Sequence, residues 1–159
     1  MKFFQLGLLA AIVLCGSLPV WSSDVTVPAK CTPEINKKFA DLITSNQQTP
    51  ADNVMVCGTT ASSSRRQRGS RHGDHQILPV RVVMPDGSMK LVEVVTNDDL
   101  DGRVTAPANA EVFAYGQAFF SHTGSFAAGI HEVHCATHRG ADNGWVVVNG
   151  EKHPESCPR

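Results

Sequence analysis

Apolar positions follow two different periods along this chain. Ile35, Phe39, Leu42 and Ile43 fall at i, i+4, i+7 and i+8, which predicts a helix with one apolar face. Thr32, Pro33 and Glu34 supply a hydroxyl cap, a proline in the first turn and an acid beside it, so the helix starts there. Asn46, Gln47, Gln48 and Pro50 end it near Ser45.

After Pro50 the pattern changes to short apolar runs rich in valine, which read as strands. They cover residues 53–56, 77–84, 89–95, 111–115, 118–121, 130–136 and 145–148. Pro85, Asp86 and Gly87 predict a tight turn between the second and third runs. Asn149-Gly150 is a two-residue hairpin signal that returns residues 152–157 beside the last strand. Val82-Val83 and the run from Val92 to Val95 break strict alternation, as expected for central strands covered by the helix. Residues 24–30 read as a short edge strand. The sum is an α+β domain, one N-terminal helix packed on an antiparallel sheet.

Between the first two strands the period disappears. Residues 58–75 read as a surface loop, and a basic one: Arg65, Arg66, Arg68 and Arg71 lie within seven residues, beside His72 and His75. Paired arginines at Arg65-Arg66 offer a site to a secretory-pathway protease, although an uncut loop is the plainer expectation. Residues 97–102 form an acidic turn with Asp98, Asp99 and Asp101. It lacks the closing glutamate of a twelve-residue calcium loop, so a solvated turn is expected.

Composition adds the compartment. Residues 1–22 have a basic start, an apolar run and small residues before the expected cut, the pattern of a secretory leader. Residues 23–159 then form a single secreted, extracellular domain carrying the basic loop, with no further run long enough to anchor it in a membrane. That domain has 13 basic and 15 acidic residues. Away from the four clustered arginines the excess is acidic, which argues against a wholly basic nucleic-acid binder and leaves one local basic segment. Cys31, Cys57, Cys135 and Cys157 read as two disulfides with three possible pairings.

Two constellations suggest chemistry. His131, His134, Cys135 and His138 are metal-ligand types, although a strand would point His131 and His134 to opposite faces and a disulfide would consume Cys135. The other is metal-free phosphoryl transfer, in which RNA is cleaved by its own 2′-hydroxyl given a base, an acid and a cation for the phosphate. Histidine and arginine suit the last two roles.

Several motifs occur in a telling order: Cys31, the helix from Thr32, Ile77-Leu78-Pro79-Val80, Gly102-Arg103-Val104, Ser121-His122-Thr123-Gly124 and Cys135. This order resembles small secreted microbial guanyl-type ribonucleases and the ribonuclease-like effectors of plant-pathogenic fungi, over roughly residues 31–135. The resemblance implies a ribonuclease-like fold, a Cys31–Cys135 bridge that leaves Cys57 for Cys157, His122 as general acid and Arg103 as phosphate ligand. The chain departs from that family at Ile77, where the family carries its catalytic glutamate, and it lacks the upstream Tyr-x-His. His75 and His72 stand nearby as substitute bases.

The expected function is therefore a small, disulfide-stapled secreted effector of ribonuclease-like fold. It would act as a monomer, without cofactor, by binding a host or competitor macromolecule, RNA among them. The alternatives are an active ribonuclease using His122, Arg103 and His75, and an extracellular metal-binding module.

Overall fold

The computed structural model describes residues 25–70, 73–120, 124–137 and 142–157. The leader expected over residues 1–22 lies outside them, as do Arg71, His72, His122 and His138.

The helix signal is fulfilled with a change of pitch. Pro33–Asn36 form a 3-10 turn that runs directly into α1, Lys37–Thr44. The apolar stripe splits at this joint. Phe39 is fully buried, with Leu42 and Ile43 packed partly beside it, whereas Ile35 turns to a separate cluster.

Eight strands follow: β1 (Ala51–Thr60), β2 (Arg65–Ser70), β3 (Gly73–Val83), β4 (Met89–Asn97), β5 (Glu111–Phe119), β6 (Ala128–His131), β7 (Trp145–Val148) and β8 (Glu151–His153). Their order is β1-β3-β4-β6-β5-β7-β8, and β1 also pairs with β5. That extra pairing closes β1, β3, β4, β6 and β5 into a barrel. The expected antiparallel sheet with a helix laid on it is corrected here. The sheet is mixed, because β4 and β6 run parallel, and it curls around its own core. α1 packs against β1, and the 3-10 turn before it touches both β1 and β3.

Alternation explains the closure. Val54, Val56, Leu78, Val80, Val82, Val92, Val94, Val112, Ala114, Ala118, Ala128 and Ile130 form one buried cluster that fills the barrel together with Phe39. Small side chains on β5 and β6 let these strands turn tightly. At Gly116 a Cβ would strike the carbonyl oxygen of His131, so only glycine permits that approach.

The sequence shows no strand at β2, yet Arg65, Arg66 and Gln67 pair in register with Ile77, Gln76 and His75. The expected basic loop is thus half of a hairpin. β2 prolongs the line of β1 along β3 after a short bend, whose carbonyls at Thr60 and Ala61 accept hydrogen bonds from Arg81. Backbone pairing supplies what apolar contact does not, and Arg66 is neutralised between Asp74 at 2.8 Å and Asp98 at 3.1 Å.

Two disulfides staple the molecule, Cys31–Cys57 and Cys135–Cys157. This corrects the pairing that the ribonuclease resemblance implied. Each bridge closes a span of 26 or 22 residues, worth about 3–4 kcal/mol in the chain-entropy account. The first ties the segment before α1 to β1; the second ties the segment after β6 to the end of the described chain. The Asn149-Gly150 turn appears as expected, both residues at positive φ, joining β7 to β8. No helix among the described residues is long and apolar enough to cross a membrane.

Candidate functional site

The outer surface of the barrel is treated unequally. On one side Phe113, Tyr115, Trp145 and Val147, with Met55 beside them on β1, are roofed by Val25, Val27, Cys31 and Ile35. The Trp145 indole N–H donates to the Val25 carbonyl at 3.0 Å, which pins that roof in place. The outward side chains of β3, β4 and β6 have no comparable apolar roof among the described residues, although Ile77 and Pro79 in their midst are buried and Phe126 lies over Arg65.

Register places those side chains in rows. One row runs Gln67, His75, Asn97; the next runs Arg65, Ile77, Val95. A third runs Pro79, Glu93, Gly129, Phe119. His131 follows Gly129 by two residues on β6 and pairs with Gln117 of β5. A Cβ on Gly129 would collide with the Phe119 ring, so the glycine is the floor on which that ring lies. Phe119 meets His131 edge-on, with ring centres 5.0 Å apart. On the far side the Arg65 guanidinium lies 5.9 Å from the centre of the Phe126 ring, a cation–π contact.

Glu93 stands in the row of Gly129 and Phe119, next to the row that starts at Arg65. It is half-buried, and burial raises its carboxyl above the usual carboxylate range, with the positive charge of Arg65 partly opposing this. No hydrogen bond fixes its carboxylate among the described residues. Glu93 thus lies on the same face as Ile77, on the neighbouring strand. Ile77 itself stands between Arg65 of β2 and Val95 of β4 and is only 6% exposed.

His131 is the second titratable group of this face. Burial lowers its pKa, as do the charges of His134 and His75, while Glu132 and Asp52 oppose the shift. That shift favours the neutral ring at pH 7. Nε2 of His131 lies 2.8 Å from Oε1 of Gln117, whose Nε2 in turn donates to Asp52 at 2.6 Å.

Asp101 lies at the upper end of the same region, beyond β4. It is 7% exposed. One oxygen accepts the Asn97 N–H at 2.6 Å, and the other has no partner among the described residues. Burial pushes its pKa up to about 6; the Asn97 bond and the charge of His134 pull the other way, and Asp98 adds to the rise. The folded state therefore holds this proton more tightly than the unfolded chain. Its contribution to stability is full below about pH 4 and is lost as pH rises through 6. We expect the stability of Asp101→Asn relative to wild type to rise by on the order of 2–3 kcal/mol between pH 4 and pH 7. Urea unfolding at both pH values measures this. The opposing effect of His131 is common to both proteins and cancels.

The residues expected from sequence separate in space. His75 stands on the open face of β3, close enough for its charge to act on His131. Arg103 is exposed in the irregular segment after β4 and makes no hydrogen bond or ion pair among the described residues. His122 lies outside the described residues. Of the expected metal ligands, Cys135 is bridged to Cys157, His134 bonds the Cys135 carbonyl through Nδ1, and His138 is not described. Among the described residues no three histidine, cysteine or carboxylate groups are placed to hold a metal ion.

Glu93, Gln117 and Asp52 went unread in the sequence. The signal for Glu93 was present: it is the one charge between Leu91 and Val95, with which it shares a face by alternation. Gln117 and Asp52 carried none, because their link to His131 depends on the pairing of β5 with β1 and β6.

No protein-family model matches the chain, and no curated protein or solved structure is significantly similar to it.

Proposed function

We propose that this is a small secreted, effector-like binding domain that engages a macromolecule of a host or competitor through the outer face of β3, β4 and β6. The observation that carries this reading is the one-sided roof. A barrel that spends its N-terminal segment and a disulfide on covering one side leaves the other with a cation, a half-buried carboxylate, two imidazoles and two aromatic rings. Two disulfides suit an oxidising compartment outside the cell.

A photo-reactive side chain placed at Gln67, beside this face, is expected to crosslink a discrete partner from host extract. The same group at Lys152, on β8, is expected to capture nothing above background. Equal capture at both positions, or none at either, contradicts the reading.

A second reading is supported by one specific arrangement. Glu93, His131, His75 and Arg65 share the face, and together they offer a base, an acid and a phosphate-binding cation. Those are the groups that RNA cleavage by its own 2′-hydroxyl requires. In this reading the ribonuclease-like chemistry is kept on a barrel, with Glu93 taking the place that Ile77 left empty and His75 or His122 serving as the acid. Arg103 is then a surface charge. Glu93→Gln is expected to lower hydrolysis of a guanine-containing RNA at least a hundredfold with the circular dichroism spectrum unchanged. Wild-type protein without hydrolytic activity removes this reading and leaves the first.

A further inference from the structure

The chain Asp52–Gln117–His131 fixes more than the position of a ring. A carboxylate at neutral pH accepts hydrogen bonds and donates none. The Gln117 atom that meets Asp52 at 2.6 Å must therefore be the amide nitrogen. The amide oxygen is left to face His131 at 2.8 Å, and an oxygen there can only accept. So Nε2 of His131 carries the proton, and Nδ1 of the neutral ring is a bare lone pair. Nδ1 has no hydrogen-bond partner among the described residues, and the ring is held from turning by Phe119 packed edge-on against it.

We propose that His131 presents Nδ1 as the proton and hydrogen-bond acceptor of the outer face of β3, β4 and β6, and that Gln117 and Asp52 are positioning residues that set its tautomer. This deepens the binding reading given above, on which it rests for its purpose. With the Glu93 carboxylate on the adjacent strand, it makes the face a pair of acceptors. The ligand group that docks there brings a donor, a hydroxyl or an N–H.

Each residue of the chain comes from a different strand: Asp52 from β1, Gln117 from β5 and His131 from β6. Barrel closure is what brings the three together. The charged groups that act on His131 are Glu132 beside it, His134 beyond it, Asp52 on β1 and His75 on β3. None of them competes for Nε2, which Gln117 occupies.

The test needs no partner. Long-range proton–nitrogen NMR of the imidazole side chains in the free, full-length protein reports which nitrogen is protonated. Wild type is expected to show His131 in the Nε2–H form alone at pH 7.5. Asp52→Asn removes the acceptor-only partner that orients the Gln117 amide among the described residues, and Asp52 is exposed, so the fold is not at risk. In that variant His131 is expected to populate both tautomers. Gln117→Leu is expected to do the same. An Nδ1–H form in wild type, or an unmixed Nε2–H form in Asp52→Asn, overturns the proposal. These outcomes are independent of the crosslinking result, so failure of the binding reading and failure of this one are distinguishable.

Discussion

Asn36→Ala is expected to lower stability by about 3–4 kcal/mol, measured by urea unfolding at fixed pH. β1 and β3 pair directly only at Thr59–Arg81 and Thr60–Val80. Continuing that register would set Cys57 against Val83, but the strands have diverged by then. The Asn36 side chain fills the gap as a surrogate peptide group. Its amide donates to the Cys57 carbonyl at 3.1 Å and to the Val83 carbonyl at 2.9 Å, and its oxygen accepts the Cys57 N–H at 2.7 Å. The residue is 1% exposed, so water cannot readily replace it. Truncation orphans three backbone groups, each worth about 1 kcal/mol or more when buried. A loss below about 1 kcal/mol means that the seam between β1 and β3 is hydrated and the barrel is not sealed there.

The second large effect belongs to the same seam. Gly58→Ala is expected to cost about 3 kcal/mol or more. A Cβ there would collide with the Arg81 carbonyl oxygen and press on Val80. The obstacle is backbone, which cannot swing aside as a side chain can. Relief means breaking the two residue pairs that close β1 onto β3. The control is Gly69→Ala, where φ is +71° but nothing lies near the added Cβ. That change carries only the cost of a left-handed residue, about 1–2 kcal/mol. Equal midpoints in urea for the two variants contradict the close crossing of β1 over β3.

These two sites show what sequence can and cannot reveal. The helix, the β3–β4 turn and the β7–β8 hairpin were legible because proline, glycine and asparagine dictate local dihedral angles. The barrel interior was legible as alternation. β2 was not, since Arg65–Ser70 contains no apolar residue and forms a strand through its partner β3. Closure itself rests on β1 pairing with β5 and on the parallel pair β4 and β6, contacts between positions that carry no mutual mark in the chain. Asn36 illustrates the limit well: in sequence it is a polar residue in a helical turn, and in space it belongs to a sheet.

The candidate site divided along the same line. Histidines announce themselves in a sequence, so His75 and His131 were noticed, although His131 was weighed as a metal ligand. Its neighbours Gln117 and Asp52 are ordinary surface residues until three strands meet. Glu93 shows the reverse case. The chain has no carboxylate at Ile77, and only the pairing of β3 with β4 reveals that Glu93 stands on the next strand, in the row beside it.

Which side of the barrel the N-terminal segment covers decides where the binding face lies. Peptide mapping of the unreduced protein by mass spectrometry tests this directly. The account predicts one linked pair joining Cys31 to Cys57 and another joining Cys135 to Cys157. A Cys31–Cys135 link would pull residues 25–35 toward the chain just after β6, onto the face that carries Glu93 and His131, and would contradict it.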